Sequence, residues 1–172
     1  MADKAVFGIA KTEGQAVRIV EQARDAGFTG DDISVLFPDK GTSREFAHEK
    51  QTKAPEGATT GAATGGVLGG IAGWLVGIGT LAIPGLGPFV AAGPIMAALS
   101  GATVGAATGG LVGALVGMGI PEFEAKRYEG KVRGGNVLIS IHTEDRDHVR
   151  RAKDIFEKAG AEDIATAGEK AA

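Results

Sequence analysis

The sequence predicts an α+β fold: a ferredoxin-like βαββαβ sheet interrupted by a long glycine-zipper helical hairpin. Three observations carry this. The two ends of the chain each read β–α–β, the middle holds no charge, and glycine recurs there every fourth residue. Residues 1–56 form the first half with a connecting arm, 57–121 the uncharged insertion, and 122–172 a helix plus the second half.

Lys4–Ala10 is a short apolar strand. Thr12-x-x-Gln15 has capping-box form, which places a helix start there. Val17, Ile19, Val20 and Ala23 give that helix an apolar face, and Gly27 suits the position just past its end. Ile33–Phe37 alternates and stops at Pro38, the pattern of a strand. In the second half, Val137–Ile141 alternates as a strand, and Asp145–Lys158 is a helix with Val149, Ala152, Ile155 and Phe156 on one side. Gly160 ends it, and Asp163–Ala167 is a final strand. Neither pair of strands can bury enough surface by itself, so one sheet is expected, with both helices on one face. Phe7, Ile9, Val35, Ile139 and Ile141 are expected to share a single core with the two helices.

The insertion is 65 consecutive residues, Gly57 to Pro121, without Asp, Glu, Lys, Arg or His. Gly57, Gly61, Gly65, Gly69, Gly73 and Gly77 form one series; Gly101, Gly105, Gly109, Gly113 and Gly117 form a second, extended backwards by Gly93 and Ala97. Residues 57–69 and 101–113 match at ten of thirteen positions, so the segments are repeats. Ile83-Pro-Gly-Leu-Gly-Pro-Phe89 reads as the turn between two helices. A four-residue period puts the glycines along one winding groove, where another helix can approach closely. Eleven helical glycines cost on the order of 11 kcal/mol relative to alanine, so lipid or dense packing must offset them. Helices over 57–82 and 89–119 exceed the roughly 20 residues that a bilayer requires. A transmembrane hairpin and a hairpin buried in a soluble oligomer both remain open. The first places both charged parts on the cytoplasmic side of an inner membrane, with the uncharged tip opposite; the second places the chain in the cytoplasm. Lys53, Phe123, Lys126, Arg127 and Tyr128 are the expected interface anchors.

Several classes of function lack their residues. There is no cysteine, so thiolate metal sites and cysteine chemistry are excluded. A net charge of −3 gives no pull toward nucleic acid. The N-terminus has no apolar run of secretory length. His142 and His148 lie six apart beside Glu144 and Asp145 but read as surface residues; His48 reads as part of a solvated arm. Asp31, Asp32 and Asp39 flank a strand and suit turns and caps. Gly8 is only loosely like a phosphate loop, and the zipper spacing is not a dinucleotide fingerprint. No catalytic residue, cofactor or small-molecule substrate is predicted. The expected partners are membrane lipid and other copies of the chain.

Val6-Phe-Gly-Ile9, residues 32–39, Lys53-Ala-Pro-Glu-Gly57, the zipper and residues 119–130 together resemble bacterial general stress proteins labelled heat- or low-temperature-induced. That likeness implies a non-enzymatic, membrane-associated stress protein. The layout, an α/β domain split by two hydrophobic helices, is also similar to the ActD subunit of the quinol-oxidising alternative complex III. The second likeness implies an accessory membrane subunit.

Overall fold

The computed structural model describes residues 4–38, 79–83, 87–95 and 111–168. The strands are β1 (Lys4–Ala10), β2 (Ile33–Pro38), β3 (Gly79–Ile83), β4 (Gly87–Ala92), β5 (Val137–Thr143) and β6 (Glu162–Gly168). The helices are α1 (Glu13–Asp25), α2 (Leu111–Gly117), α3 (Glu122–Arg133) and α4 (Arg146–Lys158). One antiparallel sheet runs in the order β3-β4-β2-β5-β1-β6. The two end segments supply β2-β5-β1-β6, the strand order of a single βαββαβ unit.

Local chemistry sets the outer elements. The Thr12 hydroxyl accepts from Gln15 N, and the Gln15 carboxamide oxygen accepts from Lys11 N at 2.7 Å, which closes the start of α1. The Gln15 side-chain nitrogen also donates to Ala159 O at 2.8 Å, tying the start of α1 to the end of α4. Asp145 caps α4 by accepting from Asp147 N. Gly27 and Gly160 follow their helices with positive φ, as their positions predict.

The sheet is covered on both faces, not one. Val6, Ala10, Ile33, Val35, Ile139 and Ile141 pack with Ile19 and Val20 of α1 and with Phe156 of α4. Gly8 shares this face; a Cβ there would stand 2.7 Å from the Phe156 ring, so its role is to admit that ring. Phe7 and Ile9 point the other way. They join Leu36, Phe89 and Leu138 beneath Leu111 and Leu115 of α2 and Tyr128 of α3. The expectation of a single core with Phe7 and Ile9 against α1 and α4 is therefore corrected. Strand alternation puts positions 5, 7 and 9 on the opposite side from 6, 8 and 10.

The insertion also departs from its predicted form. Residues 79–83 and 87–92, expected to be helix around a turn, are a β-hairpin. Its second strand pairs with β2, from Val35 opposite Ala92 to Pro38 opposite Phe89. Residues 79–83 and 87–92 therefore belong to the same sheet as the charged halves, and neither stretch is part of a long apolar helical hairpin. Gly93 leaves the helix-groove series as well. Its φ is +83°, and a Cβ would fall 2.0 Å from Ile33 O, so the chain can pass over β2 only with glycine there. The apolar run 111–120 is core: Leu111, Leu115, Met118 and Ile120 are buried on the sheet. Predicted helix within 57–78 and 96–110, with Trp74, lies outside the described residues.

Candidate functional site

Helix α3 divides cleanly. Ala125, Tyr128 and Val132, at helical spacing, are buried on the sheet. Phe123 is on the outer side and is 73% exposed. The Arg127 guanidinium lies 5.0 Å from the centre of the Phe123 ring, a cation–π distance. Lys126 pairs with Glu122 one turn back at 3.1 Å. That pair is solvent-exposed and contributes little to stability. Val116 of α2, 45% exposed, is the other large apolar side chain exposed among the described residues.

Three of the predicted anchors thus share one outer face: Phe123, Lys126 and Arg127. Tyr128 does not join them. It is 1% exposed, its ring centre 6.2 Å from that of Phe7, and its hydroxyl donates to Asp163 O. The helical repeat turns it inward, so it is a core residue and not an interface anchor. Burial pushes its phenol up from the ordinary value; nearby Glu124 and Asp163 add to this and Arg127 opposes it. Lys53 and the glycines at 57, 61, 65, 69, 73, 77, 101, 105 and 109 lie outside the described residues. Gly113 and Gly117 are in α2, half-buried and exposed respectively. A Cβ on Gly117 would meet nothing within 4 Å among the described residues.

A charge network runs beside α3 at the sheet edge. Glu162 pairs with Lys11 at 2.7 Å and with Lys131 at 3.3 Å. Those hydrogen bonds, first from Lys11 and then from Lys131, hold the Glu162 carboxyl below its ordinary value; the bond that Lys11 donates to Glu162 in turn raises Lys11. Asp163 pairs with Arg127 at 3.7 Å and adopts φ +52°, uncommon outside glycine. The ladder between β1 and β6 shifts register there, between Phe7 and Ile9. The sequence marked neither residue as special.

The structure also gathers a polar trio that sequence reasoning missed. Ser34 and Ser140 face each other across β2 and β5, and both are fully buried. His142 Nε2 lies 2.8 Å from Ser140 Oγ and 3.3 Å from Ser34 Oγ, and Ile95 N donates to Ser34 Oγ at 3.0 Å. Neither hydroxyl can meet a substrate at that depth. The arrangement satisfies polar groups inside a packed layer and holds the chain where it leaves β4. His148 lies on the opposite face of the sheet, edge-on to Phe28, so the two histidines do not form a pair. Asp32 accepts from Thr29 N and Oγ1 within a turn, as expected of it; Asp39 and His48 lie outside the described residues.

Among the described residues, no group of His, Asp and Glu could hold a metal ion. No helix among them is long and apolar enough to cross a membrane. The geometry therefore offers a surface: the outer face of α2 and α3, with exposed valine, glycine and phenylalanine beside lysine and arginine. Comparison with curated proteins and with solved structures gives no match. The family described as "Alternative complex III, ActD subunit" matches residues 4–166, which include both end segments and the insertion. The chain belongs to the ActD family.

Proposed function

We propose that this chain is an accessory, non-catalytic subunit of a membrane respiratory complex of the alternative complex III kind. The observation that carries this is the family match over residues 4–166. The charged sheet domain lies on the cytoplasmic side, and the outer face of α2 and α3 meets the rest of the complex at the membrane surface. Phe123 and Arg127 suit that place, since an aromatic ring with a guanidinium above it tolerates a boundary between apolar and polar surroundings. The glycine series 57–77 and 101–117 supply close helix packing there, against neighbouring subunits and lipid. Nothing in the comparisons supports the stress-protein reading, and the ActD match favours the alternative.

The test is co-purification. A tagged chain, expressed at its native level and extracted in mild detergent, is expected to bring a quinol-oxidising complex with it. Its deletion is expected to lower quinol oxidation in isolated membranes. Elution of the tagged chain without partner subunits, together with unchanged membrane activity, refutes the proposal.

A further inference from the structure

We propose that His142, with Ser34 and Ser140, forms an acid-sensitive latch on Ile95, so that protonation of the imidazole loosens residues 93–95, where the chain leaves β4. The inference rests on the geometry of the buried trio and does not depend on membership of a respiratory complex.

The segment is seated by one side chain. Beyond the close passage of Gly93 over Ile33 O, Ile95 is fully buried and its backbone N donates to Ser34 Oγ at 3.0 Å. A serine hydroxyl thus serves as acceptor for an amide that has left the ladder. Ser34 and Ser140 stand opposite each other on β2 and β5, both without exposed surface. His142 Nε2 lies 3.3 Å from Ser34 Oγ and 2.8 Å from Ser140 Oγ. The imidazole is half-buried, edge-on to the Phe7 ring with centres 6.1 Å apart. Its backbone is held separately, since His142 N donates to Asp32 O at 2.7 Å. A change at the ring therefore acts on the side-chain network and leaves the strand in place.

A hydroxyl both donates and accepts, whereas a ring nitrogen does one or the other. Ser34 Oγ already accepts from Ile95 N, which leaves its proton to point toward Nε2. A bare Nε2 accepts from the serines, so the network closes with the ring neutral and its hydrogen on Nδ1. Acid puts a hydrogen on Nε2 as well. The ring then meets two hydroxyls as a third donor, and a hydroxyl proton must turn into a layer that water does not reach. Of the three side chains the half-buried imidazole is the one that can turn to water instead. Its departure frees Ser34 to rotate and takes away the order of the acceptor that holds Ile95. The charged groups on the surrounding elements have other engagements. Lys4 lies on the opposite face of β1 from Ala5, the residue paired with His142. The Asp32 carboxylate accepts from Thr29. On α3, Tyr128 donates to Asp163 O, and half-buried Glu124 acts on that phenol. Beyond β5, Glu144 is exposed and Asp145 caps α4. Residues 93–95 and α2 come from the uncharged run 57–121 and bring no carboxylate to favour an imidazolium.

The folded chain holds the ring neutral and the unfolded chain does not, so the latch is closed above the ordinary imidazole value of about 6.5 and opens as pH falls below it. Amide hydrogen exchange of the full chain, in one fixed detergent, tests this. The quantity is the protection factor of the Ile95 amide, which divides out the pH dependence of exchange itself. Between about pH 8 and about pH 5.5 it is expected to fall about tenfold or more, while the β4 amides change by less than about threefold. The chain has three histidines, which variants tell apart. His142→Gln keeps an acceptor oxygen but takes up no proton, and is expected to hold Ile95 protected at both pH values. His48→Gln and His148→Gln are expected to keep the response of the unaltered chain, and Ser34→Ala to lower Ile95 protection at both pH values. Constant protection of Ile95 in the unaltered chain overturns the proposal. So does a response that survives His142→Gln or is abolished by either of the other histidine variants, or an Ile95 amide indifferent to Ser34→Ala. Should His142→Gln disturb the fold, the nitrogen-15 shift of His142 Nε2 in the unaltered chain decides: a bare nitrogen at pH 8 is expected, and a protonated one overturns the latch.

Discussion

The apolar run from Leu111 to Ile120 can be tested with two neighbouring residues. Leu115 is fully buried on the sheet, whereas Val116 beside it is 45% exposed. If α2 is a core helix, Leu115→Ala removes side-chain burial and leaves a cavity, at a cost of about 2–5 kcal/mol. Val116→Ala removes mostly solvated surface and is expected to stay within about 0.5 kcal/mol. For a chain of this size each kcal/mol shifts the melting temperature by roughly 2–4 °C. Leu115→Ala is then expected to melt about 4–20 °C below the unaltered chain, and Val116→Ala within about 2 °C of it. The assay is thermal unfolding of the purified full chain, followed by circular dichroism in one fixed detergent. Were α2 part of a lipid-facing span, the two truncations would behave alike. Equal melting temperatures for the two variants would therefore refute the placement of α2 on the sheet.

Tyr128 is the chain's single tyrosine, so its phenolate absorbance reads one site. Its raised value predicts no phenolate signal as pH passes the ordinary value of about 10, and a sudden signal only on unfolding. Glu162 titrates lower when folded than its ordinary 4.5, so its contribution to stability is present above that pH and lost as pH falls through the folded value. Glu162→Gln is expected to flatten the loss of stability below pH 4.5; an unchanged acid limb in urea titrations at stepped pH would show that the pairs with Lys11 and Lys131 contribute nothing. Gly93→Ala combines a left-handed backbone with a clash on Ile33 O, so a loss of about 2 kcal/mol or more is expected in urea unfolding, and wild-type stability would contradict the close passage over β2.

The outer elements were legible because short-range chemistry writes them. Thr12 with Gln15, Asp145, Gly27 and Gly160 punctuate the helices, and alternation in 33–37 and 137–141 marks the strands. The second covered face was also written, in a form easily passed over. Ala5 to Ala10 is apolar without interruption, as a strand buried on both sides must be. The insertion misled because glycine, alanine, valine and leucine without charge suit either period. The informative detail was where the four-residue spacing stops. After Gly77 the next member falls on Leu81, and Thr80, Leu81, Ile83, Phe89 and Val90 favour strands around the Pro-Gly turn. At the candidate site, the spacing of Ala125, Tyr128 and Val132 already placed Tyr128 inward and left Phe123 outside. The trio of Ser34, Ser140 and His142 was not legible, because a serine in an alternating strand ordinarily faces water. That face is interior because α2, α3 and the segment at Ile95 lie over it, and Ile95 N donates to Ser34 Oγ.

These corrections decide what can be removed from the chain. An insertion in the strict sense could be replaced between 57 and 121 by a short linker, leaving a folded sheet domain. The structure predicts otherwise. That replacement takes away β4 and, with it, Phe89, Val90, Ile95, Leu111, Leu115, Met118 and Ile120 from the core. At about 1.5–3 kcal/mol for each buried side chain the loss is on the order of 10–20 kcal/mol. Net stabilities of domains are only about 5–15 kcal/mol. It would also strip α2 and the segment around Ile95 from the face that holds Phe7, Ile9, Leu36 and Leu138, leaving α3 against it. Replacing residues 57–78 alone removes none of these side chains, and the shorter link between β2 and β3 changes loop-closure entropy modestly. The shorter deletion is expected to keep a cooperative unfolding transition and α+β circular dichroism, and the longer one to lose both. A cooperatively folded product from the longer deletion would mean that α1, α3, α4 and four strands suffice. In that case the β-hairpin and α2 would be appendages to the sheet, not part of its core.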